Sequence, residues 1–184
     1  MPLASSQWKS LSGSLLVAMP TLLDPNFRRT ILFMARHQRE EGAMGVILNR
    51  PKGETLDELE GVESPLPSTA IPLFEGGPVE QHQLLVARMT LLESGARFES
   101  FDGEEFASTT PRDLRAFIGY AGWTAGQLER EIAEQSWLVI PPTAALLRPV
   151  KSAEEGNARW RGIMQNLGPW HHLLAQAPDD PTLN

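Results

Sequence analysis

The 184-residue chain contains no cysteine, so it can form no disulfide bond and offers no thiolate as a nucleophile or metal ligand. It also has no apolar run near the roughly 18 residues that a membrane-spanning helix needs. The apolar run at residues 15–19 ends at Pro20 and is too short for the core of a signal peptide. We therefore expect a cytoplasmic protein without a membrane segment.

Basic charge is scarce and unevenly placed. The formal net charge is −7, yet residues 28–52 hold six bases against two acids, whereas residues 53–105 hold twelve acids against two bases. Affinity for nucleic acid depends on neutralising phosphates, which an acidic chain without a basic recognition helix does poorly. No direct binding to nucleic acid is expected.

Short apolar runs predict a mainly β protein. Runs that are apolar on both faces and end at Pro, Gly or Asn indicate buried strands at residues 15–19, 30–35, 44–49, 71–74, 84–88 and 137–140. Residues 114–120 fit both a helix and a strand, and we interpret them as a strand because a glycine turn follows. The link between the second and third runs is too short for a helical crossover, which predicts an antiparallel hairpin.

Helices are fewer, which favours an α+β fold. One or two helical turns are expected at residues 55–59. Thr124 with Gln127, and Ser152 with Glu155, have the spacing of capping boxes, and Gly168 followed by proline predicts the end of the second helix. We expect a mixed sheet in one domain over residues 1–176, with a surface loop at residues 61–72 and a disordered tail at residues 177–184.

The stretch "GYAGWTAGQLEREI" contains Gly119, Gly122 and Gly126 but matches no phosphate loop or nucleophile elbow. A Walker loop needs a Gly-Lys pair, a dinucleotide fingerprint needs G-x-G-x-x-G, and an elbow needs a serine where Ala121 stands. We interpret the stretch as a tight corner between a strand and a helix. Gly122 is expected there because of a positive φ or a crowded backbone.

The four histidines show no metal-binding pattern. None has a partner at the i, i+4 spacing of a helical zinc site, and His171 and His172 are adjacent and point in different directions on a helix. We expect no metal and no cofactor. His37 and Glu40 are a possible pair, and both are expected at the surface of the hairpin tip.

Several stretches resemble one family of bacterial proteins. "LLVAMPTLLDPNFRRTILF", "GAMGVILNRP", "FEGGPV", "FIGYAGWTAGQLEREI" and "ARWRGIMQNLG" occur in the order seen in the YqgE/AlgH family, over residues 13–167. The resemblance implies one compact domain in a bacterial cytosol, with a mixed, strongly curved sheet flanked by a few helices. It implies no known activity. The family carries the label of a transcriptional regulator of alginate synthesis, without a recognisable DNA-binding motif.

The motif residues lie in predicted turns and at strand ends, where a shared pocket can form. They are Asp24, Asn26, Arg29, Asn49, Arg50, Gly76, Gly77, Tyr120, Trp123 and Gln127. Each also has a structural interpretation: Asp24 and Asn26 can cap a turn, and Trp123 can belong to the core. Arg50 is too polar to be buried alone, so it either faces a ligand, which is the interpretation we favour, or pairs with an acid such as Asp24.

Two functions remain open. The first is a non-enzymatic binding or regulatory protein that acts through a protein partner or a small anionic ligand. The alternative is an enzyme for a small anionic substrate, with Arg29 and Arg50 as clamps and Asp24 as the acid or base.

Overall fold

The computed structural model describes residues 8–59, 71–101 and 113–177. Those residues form nine strands, four α-helices and a 3₁₀ turn at Leu56–Glu58. The strands are β1 (Leu15–Ala18), β2 (Ile31–Gln38), β3 (Gly42–Ile47), β4 (Pro51–Thr55), β5 (Pro72–Glu75), β6 (Val79–Leu92), β7 (Gly95–Phe101), β8 (Leu114–Trp123) and β9 (Trp137–Ile140). The helices are α1 (Gln127–Ala133), α2 (Ala144–Leu147), α3 (Ala153–Leu167) and α4 (Pro169–Ala175).

The strands form one curled, mixed sheet shaped like a half-barrel. Its main order is β4-β5-β8-β3-β2-β1-β9, and the β6–β7 hairpin joins through β8. Strand β8 pairs with β5 and β6 over its first half and with β3 over its second. The β5–β8 pairing is parallel and the others are antiparallel, so the predicted α+β class with a mixed, curved sheet is confirmed.

Both faces of the central strands are buried, which explains their unbroken apolar runs. In β1, Leu15 and Val17 belong to one core cluster, while Leu16 and Ala18 belong to a second cluster on the other face. Helix α3 packs Trp160 and Met164 into the first cluster, and α1 packs Leu128 into the second. The alternation along β1 therefore divides the core into two layers.

Most of the predicted elements are confirmed. The β2–β3 hairpin is antiparallel, β9 has the predicted bounds, and residues 114–120 are strand. Helix α3 begins after Ser152, whose Oγ accepts the backbone N–H of Glu155, and ends at Gly168. No helix in the described part of the chain has the length and hydropathy needed to cross a membrane.

Several elements were missed or misplaced. Helix α4 follows Gly168 at once because proline is compatible with the first turn of a helix. Strand β6 begins earlier than predicted because its first residues are mostly polar, and it ends later because its pairing with β7 continues to Leu92. Strands β4 and β7 contain no fully buried residue and have no clear sequence signal. Residues 61–70 and 178–184 lie outside the described residues.

The glycine stretch begins inside strand β8, so our interpretation of it as a corner was wrong for two glycines. Gly119 and Gly122 lie within β8, and only Gly126, with φ +74°, stands at the helix start. Gly122 has no positive φ, and a Cβ there would meet the Tyr120 ring at an ordinary 3.4 Å. Gly119 is the strained position, with φ +68° and a prospective Cβ only 2.5 Å from the Gly77 carbonyl oxygen.

Candidate functional site

The turn at residues 24–29 is organised by its own side chains. Asp24 Oδ1 accepts the backbone N–H of Asn26 at 2.8 Å, and the Asp24 carbonyl accepts those of Phe27 and Arg28 at 3.0 and 2.7 Å. An Asp-Pro-Asn sequence favours this Asx-type turn. The turn closes where the Thr30 hydroxyl donates to the Phe27 carbonyl at 2.6 Å.

Arg50 holds this turn from the side. Its guanidinium donates to the carbonyls of Asn26 at 2.9 Å and of Pro25 and Arg28 at 3.2 Å, and to Glu75 Oε1 at 3.0 Å. The acid that pairs with Arg50 is therefore Glu75, and the suggested pairing with Asp24 was wrong. No local spacing signals this pair, because Glu75 reaches Arg50 only through the β4–β5 pairing.

Asn49 ties the same turn to helix α3. Its Oδ1 accepts the backbone N–H of Ile31 at 2.8 Å, and its Nδ2 donates to the carbonyls of Arg29 at 2.8 Å and Gly156 at 3.3 Å. Asn49 is buried, so these bonds satisfy an amide that would otherwise be costly to bury. A Cβ on Gly156 would lie 2.1 Å from the Asn49 carbonyl oxygen, which explains a glycine inside α3.

A cationic cleft of about 440 Å³ opens between this turn, the start of β4 and the first turns of α3. Four basic side chains line it, and Glu75 is the one carboxylate among the described lining residues. This excess of positive charge belongs to a chain whose net charge is −7. The lining consists of Pro25, Arg28, Arg29, Asn49, Arg50, Pro51, Lys52, Glu75, Ala153 and Asn157.

Arg29 occupies a constrained position at this cleft. Its φ is +56°, uncommon for a residue other than glycine, and its guanidinium stacks 5.6 Å from the centre of the Trp160 ring. The same guanidinium donates to the Ala177 carbonyl, beyond the end of α4. The backbone strain is maintained because Asn49 binds the Arg29 carbonyl.

The structure brings half of the predicted site residues together. Arg29, Asn49 and Arg50 line the cleft, and Asp24 and Asn26 form the turn beside it. Gly76 and Gly77 pack on β8 instead, where a Cβ would lie 2.1 Å from Gly119 O and 2.2 Å from Tyr120 C respectively. Gly76, Gly77, Tyr120, Trp123 and Gln127 are not among the residues that line the cleft.

Trp123 and Gln127 belong to a network centred on Glu131. The indole N–H groups of Trp123 and Trp137 donate to Glu131 Oε2 at 2.9 and 2.8 Å, and Gln127 donates to Oε1 at 2.9 Å. Phe27 lies against both indoles, with ring centres 6.1 and 5.6 Å away. The turn at residues 24–29 is thus packed onto a buried aromatic cluster.

The expectation for His37 was wrong, because its side chain is buried rather than exposed at the hairpin tip. Its Nδ1 accepts the backbone N–H of Leu11 at 3.0 Å, so the proton lies on Nε2, which faces Glu129 Oε1 at 3.1 Å. Burial alone would raise the pKa of Glu129, but hydrogen bonds from Trp8 and its own backbone, with His37, lower it overall. These contacts fasten residues 8–12 to the sheet.

No group of three or more His, Asp or Glu residues within the described ranges is arranged to hold a metal ion.

Arg115 is a buried cation that sequence reasoning missed. It lies on β8 with 4% of its surface exposed, and its Nε and Nη1 atoms have no hydrogen-bond partner among the described residues. Its guanidinium is 6.0 Å from the centre of the Phe74 ring. Burial, reinforced by the charge of Arg159 and opposed by Asp113, lowers the pKa of Arg115 to about 10.

Replacing Arg115 by methionine is expected to stabilise the fold by about 1–3 kcal/mol, because it removes a desolvated and incompletely bonded charge. The pKa of Arg115 is lower in the folded state, so the cost of its charge is present below about pH 10 and is relieved above it. Urea unfolding at pH 7 measures the difference. Arg97→Met, on a side chain that is 61% exposed, is the control and should change little. Destabilisation by Arg115→Met would contradict this interpretation.

Comparisons of the sequence and of the structure with known proteins agree on one family. The family model described as DUF179, AlgH-like, matches residues 15–172. A UPF0301 protein of Thermobifida fusca is 37% identical, over 95% of this chain and 96% of its own length. A UPF0301 protein of Azoarcus is 33% identical over 86% of this chain and 90% of its own.

Two solved structures share the fold. The solution structure of the AlgH protein from Pseudomonas aeruginosa is 31% identical, with a TM-score of 0.63 over 97% of this chain and 99% of its own. A crystal structure of a Corynebacterium diphtheriae protein has a TM-score of 0.68 at 22% identity, over 90% and 91% of the two chains. With the family model covering most of the chain, and relatives of similar length above 30% identity, the protein belongs to the AlgH-like, UPF0301 family.

Proposed function

We propose that this protein is a non-enzymatic binding protein of the bacterial cytoplasm and that its ligand is a small anion held in the cationic cleft. The observation that carries the proposal is that four basic side chains and one carboxylate are found among the described residues that line a cleft of about 440 Å³. That volume falls within the range of roughly 300–1,000 Å³ typical of ligand sites.

The arrangement around the cleft supports binding more than catalysis. Asp24, the acid or base of the alternative enzyme, uses a carboxylate oxygen to cap the Asn26 N–H and is not among the residues lining the cleft. Glu75 is bonded to Arg50. Asn49 and Arg50 use their polar atoms to hold the wall together, and Lys52 and Asn157 line the same cleft, where they can contact a ligand.

A regulatory role would be exerted through a protein partner. The family label points to transcription, but the net charge of −7 is unfavourable for binding DNA. In the mechanism we propose, the occupied cleft and its rim form the surface that such a partner distinguishes from the empty protein.

Calorimetric titration with inorganic phosphate at low ionic strength tests this proposal. Phosphate should bind with a stoichiometry near one, and added sodium chloride should weaken it because charged contacts are screened. Lys52→Glu should weaken binding by about tenfold or more. Arg97→Glu changes the net charge equally at an exposed site on β7 and is the matched control. Absence of phosphate binding, or equal losses in both variants, would overturn the proposal.

A further inference from the structure

A short strap, residues 8–12, lies against the end of strand β2 before the chain enters the sheet. Its inner end is anchored at Gly13, whose backbone N–H donates to the Met34 carbonyl at 2.8 Å. Four of the five strap residues are exposed, and Leu11 is half-buried where it packs against the second core cluster. A segment with so little buried surface can open locally without unfolding the sheet.

The strap is held by His37, near the end of β2. The ring Nδ1 of His37 accepts the backbone N–H of Leu11 at 3.0 Å. The backbone N–H of His37 donates to Ser12 Oγ, and its carbonyl oxygen accepts the Ser10 hydroxyl, both at 2.8 Å. The Trp8 ring lies 5.1 Å from the imidazole, measured between ring centres. Of these contacts, the hydrogen bond to Nδ1 is the one that requires a neutral ring.

Protonation has opposite effects on the two sides of the imidazole. In the neutral ring Nδ1 is an acceptor, whereas in the imidazolium both nitrogens are donors. Two N–H groups would then face each other where Leu11 now meets Nδ1, which is unfavourable away from water. On the other side, Nε2 faces Glu129 Oε1 at 3.1 Å, and a positive charge strengthens that contact. Because Glu129 lies on α1, this ion pair does not depend on the strap.

The charged groups around the imidazole leave this balance unchanged. Glu129 is the charged residue in contact with the ring, and Lys9 of the strap is exposed. Strands β1 and β3, which flank β2, contain no titratable residue. At the hairpin tip, Arg36 and Glu41 pair with each other at 3.9 Å. The Trp8 ring attracts an imidazolium, but at a partly exposed site this gain is smaller than the cost of two opposed N–H groups.

We propose that His37 is a pH-sensitive switch, which holds the strap while the imidazole is neutral and releases it when the imidazole is protonated. The docked strap disfavours a proton on Nδ1, so docking must weaken as the pH falls through the range of about 5–8 in which histidine changes charge. Release uncovers the apolar surface under Leu11 and frees Glu129 from the indole N–H of Trp8. The switch is independent of the cationic cleft and its ligand.

Hydrogen exchange of the ¹⁵N-labelled protein tests the switch, with protection factors that correct for the pH dependence of intrinsic exchange. Between about pH 7.5 and about pH 5.5, the protection of the Leu11 amide should fall by about tenfold or more. The amide of Leu32, in the buried part of β2, should keep its protection, because the sheet remains folded.

Two variants separate the charge of the ring from its hydrogen bond. In His37→Asn, the Oδ1 atom can replace Nδ1 and accept the Leu11 N–H but cannot be protonated, so protection should be independent of pH. Glu129→Gln keeps an acceptor for Nε2 but removes the charge that favours the imidazolium, so release should require a lower pH. His82→Asn, at an exposed position in β6, is the matched control and should keep the native pH dependence.

Three results would overturn the switch. The first is a Leu11 amide in the native protein that is equally protected at both pH values. The second is the same loss of protection in His37→Asn, which would assign the release to another group. The third is a parallel loss at Leu32, which would mean general destabilisation by acid. If His37→Asn does not fold, Glu129→Gln decides, since release at an unchanged pH would contradict a role for the imidazole charge.

Discussion

Replacing Gly119 by alanine is expected to destabilise the protein by about 3 kcal/mol or more, whereas Gly122→Ala, three residues along the same strand, is expected to be nearly neutral. At Gly119 the backbone has φ +68°, and the added Cβ would lie 2.5 Å from the Gly77 carbonyl oxygen and 2.8 Å from that of Val79. Both contacts are with backbone, so the strand pairing itself must move to relieve them.

The two variants form an internal comparison, because each adds one methyl group to β8. At Gly122 the added Cβ would make ordinary contacts with the edge of the Tyr120 ring at 3.4 Å and a Val79 methyl at 3.9 Å, and φ is not positive. Urea unfolding followed by tryptophan fluorescence measures both changes. Equal stabilities of the two variants would show that Gly119 is not the strained position.

Replacing Arg50 by alanine is expected to lower the free energy of unfolding by about 2–3 kcal/mol, which corresponds to roughly 4–12 °C in Tm for a chain of this size. The guanidinium joins three backbone carbonyls of the turn at residues 24–29 to Glu75. Its side chain is 24% exposed, so water can replace only part of this bonding.

Two further variants show whether the loss of stability in Arg50→Ala comes from the hydrogen bonds of the guanidinium. Arg50→Lys keeps the charge but cannot reach all four acceptors, so its stability should fall between those of Arg50→Ala and the native protein. Arg97→Ala removes an exposed arginine and should change the free energy of unfolding by less than about 0.5 kcal/mol. A native-like melting curve for Arg50→Ala would mean that Arg50 faces a ligand without supporting the turn, as the favoured interpretation from sequence held.

The strands could be predicted from the sequence wherever a continuous run of residues is buried. Strands β1 and β9 are short apolar runs, and the runs of β2 and β3 end at a link too short to be a crossover. Strands β4 and β7 could not be found this way, because neither contains a fully buried residue and both are ordered by their pairing with neighbouring strands. Helix α4 was missed because a Gly-Pro pair marks both the end of one helix and the start of the next.

Only part of the candidate site could be predicted from the sequence. The Asp24 turn follows from local chemistry, and its capping of Asn26 could be predicted. The pairing of Arg50 with Glu75 and the burial of His37 against Glu129 depend on contacts between residues 25 and 92 positions apart. Such partners are chosen by sheet topology, which no local spacing reveals. The cationic cleft likewise exists only once the turn at residues 24–29, the start of β4 and the first turns of α3 are placed together.

The most direct test of the cationic cleft is a nuclear magnetic resonance titration of ¹⁵N-labelled protein with inorganic phosphate, repeated with Lys52→Glu. We predict that the largest saturable amide shifts occur at Arg28, Lys52 and Asn157, which line the cleft, and that Lys52→Glu abolishes them. The amides of Trp123 and Gly126, which do not line it, should stay in place. Saturable shifts centred on those residues, or none at the cleft, would contradict the assignment of this cleft as the anion site.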